Sequence, residues 1–372
     1  MFKNLARASV LTLGAMLAVT ASPPLHAQAS APPARPPLKI AFVYVSPIGE
    51  AGWTFQHEQG RLAMQQALGA QVASSAVESV AEGADSERVM RDLVAQGNQL
   101  IFATSFGYLE PTLRVAADHP AVKFEHAGGY KTAPNVNTYN ARYYEARYLA
   151  GLLAGKTSKS GVAGYVAGFP VPEVVQGINA FALGMREANP AATVKVLWLN
   201  TWFDPARERE AAQSLVNQGA DVLTNHSGSP AVPQTAQANF KSKGVRAIAY
   251  QSDMGAYAPD AQLAAVTHHW GGYYTRVARA ALAGTWKPQP YWGGMKDGVV
   301  QLSQLHRDVP AATQALIDAR RAQIVAGRFQ PFSGPLVDNE GKVRLARGAL
   351  DDAAISTMNW FVRGVAGSVP KQ

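Results

Sequence analysis

The stretches LVAQGNQLIFATS (residues 93–105) and LVNQGADVLTNHS (residues 215–227) decide the fold of this 372-residue chain. Residue 93 aligns with residue 215, an offset of 122, and the Leu, Val, Gln, Gly and final Ser are identical. The same offset places KIAFVYV (39–45) on GVAGYVA (161–167). Two matches at one offset predict a duplicated structural unit.

Short apolar runs alternate with helical patterns along the chain. Most runs are continuously apolar, which is typical of parallel strands buried on both faces. Repeated βαβ units build parallel sheets, so the pattern predicts an α/β fold of two doubly wound parallel-sheet lobes. The predicted strands are 39–45, 99–105, 122–128, 161–168, 193–200, 220–226, 245–250 and 263–269, and the predicted helices are 54–68, 85–96, 143–155, 176–187 and 205–217.

The first residues have the pattern of an export signal. Lys3 and Arg7 precede the apolar run 9–21, and small residues follow for cleavage near residue 29. We therefore expect a cleavable signal peptide at 1–29, a Pro-rich spacer at 30–38 and a periplasmic location. The chain has no cysteine, so we expect no lipid-modified cysteine and no disulfides.

The domain boundaries follow from the repeat. We expect the first lobe at 39–157 plus 268–290, the second at 158–267 plus 291–350, and a C-terminal tail at 351–372. Near the C-terminus the pattern predicts a helix over 309–327, a hairpin over 331–345 and a short helix near 351–362.

Composition and motifs argue against several functions. The formal net charge of +8 is spread without a run of like charges, so we expect no nucleic-acid partner. No G-x-S-x-G, H-E-x-x-H or P-loop motif occurs, so we expect neither an enzyme nor a cofactor. His268 and His269 are adjacent on a predicted strand and face opposite sides, which does not favour a metal site.

Aromatic residues follow many of the predicted strands. Ligands of doubly wound sheets bind at the carboxyl ends of the strands, so these positions predict a site for a flat small molecule. The polar residues nearby are mostly uncharged: Ser105, His126, Asn225, His226 and Ser227. The aromatic residues include Trp53, Phe55, Phe106, Tyr108, Tyr130, Phe169, Trp202, Phe203, Tyr257, Trp270, Tyr291 and Trp292.

Three charged residues are candidates for ligand anchors, and each has a structural alternative. Glu173 is at the expected start of a helix, where the helix dipole alone favours a carboxylate. Asp253 would also cap the turn before Tyr257, and Lys296 would also serve as a solvated hairpin residue.

Long ordered motifs resemble those of the basic membrane protein (BMP, or PnrA-like) family of ABC transporter substrate-binding proteins. The resemblance covers about residues 39–300. It implies a type I periplasmic-binding-protein fold whose lobes, joined by hinge crossovers, close over a purine, and a permease partner in the inner membrane. The motifs are GWTFQHEQG, AEGADSERVMRDLVAQGNQLIFATSFGY, VKFEHAGGYKTAPNVNTYNARYYEARYLAG, PVPEVVQGINAFALG, NTWFDPARE, SDMGAYAPD and WGGMKDG.

The resemblance also implies site residues. Phe55 and Trp202 match the positions of the family's stacking aromatics, while Asp253 and Lys296 match residues that approach the ribose in nucleoside binders. An Asp that nucleoside binders carry after the first strand is missing, and Trp53 is added. This difference favours a smaller ligand, a free base such as adenine, over a nucleoside. The full predicted site is Trp53, Phe55, Ser105, Phe106, Glu173, Trp202, Asp253 and Lys296.

We therefore expect a monomeric periplasmic protein that captures a purine base or nucleoside for an ABC importer. Alternatives are a sugar or amino-acid binder, a sensor subunit, and a periplasmic nucleoside hydrolase. Sugars would call for more Asp, Asn and Arg at the strand ends, and an amino acid would call for a paired Arg and acid.

Overall fold

The structure is a computed structural model that describes residues 36–371. The predicted signal peptide at 1–29 and most of the spacer lie outside the described residues. None of the helices within 36–371 has both the length and the apolar character needed to cross a membrane.

The described chain alternates strands and helices. The strands are β1 Leu38–Val43, β2 Val72–Val77, β3 Leu100–Ala103, β4 Lys123–Ala127, β5 Val136–Ala141, β6 Val162–Ala167, β7 Thr193–Trp198, β8 Val222–His226, β9 Arg246–Gln251, β10 Gln262–His268, β11 Tyr291–Gly293, β12 Val300–Leu302, β13 Leu336–Val337, β14 Val343–Leu345 and β15 Val365–Ala366. The α-helices are α1 Trp53–Leu68, α2 Ala84–Ala95, α3 Leu109–Asp118, α4 Tyr143–Thr157, α5 Pro172–Ala188, α6 Pro205–Asn217, α7 Ala231–Lys243, α8 Gly271–Leu282, α9 Ala311–Val325 and α10 Asp352–Ser356.

Two large sheets have equivalent topologies. The first has the order β11-β5-β4-β3-β1-β2, and the second has the order β12-β10-β9-β8-β6-β7 with β15 added at the edge. The aligned strands β3 and β8 therefore hold the same place in each sheet, as do β1 and β6. Neighbouring strands are parallel except for the antiparallel pair of β10 and β12. The predicted α/β fold of two doubly wound sheets is confirmed.

The chain crosses between the sheets after β5, after β10 and after β11. Helix α4 packs along α5 of the second sheet, and β11 pairs with β5 of the first. The packing therefore favours boundaries near residues 142 and 294 over the predicted ones at 157 and 290. The division into lobes stays a prediction.

Helices α4 and α5 approach each other closely because glycines face the contact. A Cβ atom at Gly151 would lie 2.0 Å from the carbonyl oxygen of Phe181, and one at Gly184 would lie 2.0 Å from that of Tyr148. Because the two helix backbones are in contact, side chains of both helices are buried in the shared core.

The C-terminal residues are integrated into the second lobe. Helix α9 and the antiparallel β13–β14 hairpin confirm two predicted elements. The predicted helix over 351–362 is shorter, since α10 ends at Ser356, and β15 then pairs with β7. The Arg142 guanidinium donates to both carboxylate oxygens of Asp352 at 2.6 Å, which ties α10 to the start of α4.

Candidate functional site

A cavity that is partly open to solvent lies between the carboxyl ends of the two sheets. Parallel strands that point the same way bring their carboxyl ends to one edge, so residues distant in sequence meet there. The first lobe contributes Val45, Ser46, Trp53, Ser105, Phe106, Ala127 and Gly128, and the second contributes Val171, Glu173, Trp202, His226, Gly228 and Gln251.

Trp53 begins α1 and is fixed to the first lobe. Its indole N–H donates to the carbonyl oxygen of Thr104 at 2.7 Å, in the segment that follows β3. Its ring lies 4.4 Å from the ring of His57 and 5.1 Å from that of His268, measured between centroids. These contacts hold one indole face rigidly at the cavity wall.

Trp202 lies on the opposite lobe, in the segment between β7 and α6. Its ring meets Phe169 edge to face at 4.9 Å. A Cβ atom at Gly168 would lie 2.7 Å from the six-membered ring of Trp202, so only glycine leaves room for the indole. The Trp202 indole N–H donates to Glu82 Oε1 of the first lobe at 3.1 Å.

Ser105 lines the cavity, but its hydroxyl group already has a partner. The Oγ atom donates to Glu82 Oε1 at 2.6 Å. The sequence analysis did not single out Glu82. Glu82 follows the carboxyl end of β2, a strand that was not predicted because its polar residues Ser74 and Ser75 interrupt the apolar pattern. Predicting β2 would have identified Glu82 as a residue near a strand end.

The polar part of the cavity wall is formed by Glu173 and His226. Glu173 Oε1 lies 3.5 Å from His226 Nε2, and the glutamate side chain is 16 % exposed. Burial lowers the pKa of His226, so the imidazole is neutral at pH 7 and the carboxylate stays without a full counter-charge on the wall. Gln251 adds a buried side-chain oxygen without a hydrogen-bond partner.

A buried arginine lies behind this polar wall. Arg147 donates to Thr224 Oγ1 at 2.9 Å and to the carbonyl oxygen of Asn225, and its guanidinium lies 3.6 Å from the centre of the Tyr250 ring. Its positive charge contributes to the lowered pKa of His226, after burial. The cavity-lining residues include no lysine or arginine, and Glu173 is the acidic side chain among them.

Five predicted residues come together at the cavity: Trp53, Ser105, Phe106, Glu173 and Trp202. Phe55 does not line it. Residues on a helix advance about 100° each, so Phe55 points roughly 200° away from Trp53 on α1. Asp253 is exposed, and its Oδ1 accepts hydrogen bonds from Gly255 N at 2.8 Å and from Gln262 Nε2 at 2.7 Å. These bonds fit the structural alternative, in which Asp253 caps the turn. Lys296 is exposed in the turn after β11.

The two lobes touch directly beside the cavity. The backbone N–H of Gly52 donates to Ser252 Oγ at 2.7 Å. A Cβ atom at Gly52 would lie 2.0 Å from the carbonyl oxygen of Gly228, and its φ of 95° also favours glycine. The Tyr257 hydroxyl donates to Glu50 Oε2 at 3.3 Å nearby. The described chain therefore adopts a conformation with the lobes closed over the cavity.

Known proteins resemble this chain in sequence and in fold. Residues 38–328 match the family model described as ABC transporter substrate-binding protein PnrA-like. A purine-binding protein of Brucella abortus is 47% identical over 90% of this chain and 94% of its own length. A candidate ABC transporter glucose-binding protein of Haloferax volcanii is 37% identical over 90% of this chain and 81% of its own.

Solved structures show the same fold at low identity. A solute-binding protein of an ABC transporter system from Aeropyrum pernix superposes with a TM-score of 0.68 at 17% identity, over 79% of this chain and 93% of its own. One from Conexibacter woesei gives 0.63 at 22%, over 79% and 98%. These likenesses confirm the predicted periplasmic-binding fold. With its family match over most of its length, the chain belongs to the PnrA-like family of ABC transporter substrate-binding proteins.

Proposed function

We propose that this protein captures an uncharged purine base in the periplasm, between Trp53 and Trp202, and delivers it to the permease of an ABC importer. The observation that carries the proposal is the cavity itself: two indoles from opposite lobes and Phe106 surround a single carboxylate. Flat π faces suit a flat heteroaromatic ring, and a carboxylate accepts hydrogen bonds from ring N–H or amino groups.

The charge of the wall argues against anionic ligands. A phosphate or a free carboxylate would face Glu173 with no lysine or arginine on the wall to balance it. Burying like charges close together is unfavourable in a site of low dielectric constant. Nucleotides and amino acids therefore fit this cavity less well than a neutral base.

The positions of Asp253 and Lys296 favour a base over a nucleoside. The family resemblance assigns these two residues to the ribose, yet neither lines the cavity. A buried ribose needs partners for its hydroxyl groups, because an unpaired buried polar group costs about 1–3 kcal/mol. The wall offers few groups of this kind beyond Glu173 and Gln251.

A sugar is the second candidate, and the name of the Haloferax volcanii relative favours it. The apolar face of a hexose also stacks on an indole. However, a hexose carries hydroxyl groups around its whole rim, and no Asp, Asn or Arg is among the cavity-lining residues. The cavity chemistry therefore supports the purine named for the Brucella abortus relative.

Isothermal titration of the purified protein with adenine, hypoxanthine, guanine, adenosine and glucose tests the proposal. We expect at least one base to bind with a Kd of about 1 μM or tighter, near −8 kcal/mol, and adenosine to bind at least about tenfold more weakly. Glucose binding without purine binding would overturn the proposal in favour of a sugar. Chromatography of adenosine after long incubation checks for hydrolysis, and we expect it to be recovered intact.

A further inference from the structure

The carboxylate of Glu82 joins the two lobes at the edge of the cavity. Glu82 lies between β2 and α2 in the first lobe. Its Oε1 accepts three hydrogen bonds: from Ser105 Oγ at 2.6 Å, from Gly107 N at 2.8 Å and from Trp202 Nε1 at 3.1 Å. Two donors belong to its own lobe and the third belongs to the opposite lobe.

The two donors of the first lobe fix the carboxylate before any contact with the second. Ser105 and Gly107 follow β3, so their positions relative to Glu82 depend only on the first sheet. A Cβ atom at residue 107 would lie 2.4 Å from the carboxylate carbon, so a larger residue there would displace the Glu82 side chain from this position. The acceptor for Trp202 is thus held ready on the first lobe.

Trp202 meets this acceptor only when the lobes are together. Its ring lines the cavity while its N–H bonds to Glu82, so one indole contacts both the ligand space and the opposite lobe. A hydrogen bond to a charged acceptor is among the stronger kinds. Here it also orients the ring whose face would contact the ligand.

We propose that Glu82 is a positioning residue that holds Trp202 over the bound ligand and thereby sets the rate of ligand release. The inference rests on the proposed function, namely that the cavity holds a purine. An enclosed ligand can leave only after the Glu82–Trp202 bond breaks, so loss of this bond changes dissociation more than association.

Rapid displacement of adenine measures the effect. For Glu82→Ala we expect a dissociation rate at least about tenfold higher, with an association rate within about twofold of the wild type, because a hydrogen bond to a charged group corresponds to a factor of about ten or more. Trp202→Phe keeps an aromatic face but lacks the indole N–H, and we expect a similar acceleration.

Two further variants separate positioning from a general structural role. Glu82→Gln keeps an acceptor oxygen but loses the charge, so it should release adenine at a rate between those of the wild type and Glu82→Ala. Glu110→Ala is the matched control, because Glu110 is a first-lobe glutamate whose partner is Lys131 of the same lobe, and it should release adenine at the wild-type rate. In the double variant Glu82→Ala/Trp202→Phe, the two effects should not add, since both remove the same bond.

A second readout follows lobe closure directly. The chain has no cysteine, so Ala84→Cys on α2 and Glu210→Cys on α6 introduce one spin label on each lobe at exposed positions. We expect Glu82→Ala to reduce the population with the short interlabel distance, with or without adenine. Unchanged label distances together with unchanged release would overturn the role of Glu82.

The two proposals fail differently. If the wild type binds no purine, the proposed function fails, and the label distances then decide the role of Glu82: fewer closed molecules in Glu82→Ala support it and identical distributions overturn it. If adenine binds and Glu82→Ala releases it at the wild-type rate, the role of Glu82 fails while the purine proposal stands.

Discussion

Glu173 shows how a single residue gives the cavity its chemical character. It is the acidic side chain on the cavity wall, and burial lowers the pKa of the neighbouring His226, which favours the neutral imidazole. A ligand that donates a hydrogen bond to Glu173 therefore gains the most binding free energy at this point, and an anion gains the least.

Replacing this carboxylate tests that role. We expect Glu173→Gln to weaken adenine binding about tenfold or more, because a hydrogen bond to a charged group contributes about 1.5–3 kcal/mol. Asp253→Asn is the matched control, since Asp253 is exposed and bonded within its own turn. Titration calorimetry of both variants decides between them: a loss of affinity for Asp253→Asn and none for Glu173→Gln would contradict the assignment.

Single residues also show which parts of the site could be predicted from the sequence and which could not. The strand ends identified Trp53 and Trp202 correctly as cavity residues, because a parallel sheet gathers its carboxyl ends. Phe55 looked equivalent to Trp53, yet two steps along a helix turn a side chain to another face. Glu82 escaped because its role depends on a contact with Trp202, 120 residues away in sequence.

At the scale of elements, the α4–α5 pair is the closest helix contact described above. Gly151 and Gly184 remove the side chains that would otherwise separate the two backbones. The packing brings α4 against α5 of the second sheet, although β5 of the first sheet immediately precedes α4. No periodicity in a single helix reports which neighbour it meets, so this contact could not inform the predicted boundary at residue 157.

This contact predicts a steric cost for a single methyl group. We expect Gly184→Ala to destabilise the protein by about 1–3 kcal/mol, because its Cβ would lie 2.0 Å from a backbone oxygen and the helices would have to separate. Gly272→Ala on α8 is the control: nothing lies within 4 Å of its Cβ. Alanine favours helices, so that variant should be neutral or slightly stabilising. Urea unfolding compares them, and equal stabilities would refute the close contact.

The strands also differ in how well their own sequences predict them. Continuous apolar runs such as β3 and β6 are predictable, since burial on both faces requires such residues. Strand β2 at the edge of the first sheet has partly exposed positions and the small polar residues of VASSAV, so its sequence lacks that signal. Sequence reasoning also missed the inner strand β5, whose run VNTYNA contains three polar residues, so polar residues within a strand explain both omissions.

For the whole molecule, buried titratable groups set how stability depends on pH. Burial lowers the pKa of five histidines in residues 36–371, to about 3 for His57 and His126 and below the usual value for His226, His268 and His269. Burial also raises the pKa of Glu125 and Glu208 to about 7 and that of Glu145 above its usual value.

The two sets act in opposite directions. Below about pH 6.5 the unfolded chain binds protons on the histidines that the folded chain does not, so stability falls on acidification. The contribution of the three carboxyl groups is fully present below their unfolded pKa of about 4.5 and is lost as the pH rises through their folded pKa, which is about 7 for Glu125 and Glu208. Five groups outweigh three, so we expect maximal stability near pH 6.5 and a decline toward pH 5.

Urea unfolding between pH 5 and pH 8 measures this profile. The slope on the acid side should be on the order of 2–3 kcal/mol per pH unit, the value for about two protons. His126→Leu removes one buried titrating group and should lower that slope by about 1.4 kcal/mol per pH unit. Stability that increases from pH 6.5 to pH 5 would contradict the balance of the two sets.

The two-lobed architecture was predictable because the sequence contains a repeat, seen in the aligned stretches at 93–105 and 215–227. The closed arrangement of the lobes was not, since it depends on contacts such as Gly52 with Ser252. A sequence repeat predicts the fold of each lobe, whereas the arrangement of the two lobes depends on contacts between residues that are distant in sequence.

The contact of Gly52 with Gly228 limits how this receptor can be re-engineered. Backbone meets backbone there, so trimming a side chain cannot widen the gap between the closed lobes. Shortening Trp53 or Trp202 would hollow out the existing cavity and leave its outer dimension unchanged. A biosensor for a solute larger than the hollowed cavity would need longer loops at these two glycines, because libraries confined to the cavity wall leave that outer dimension fixed.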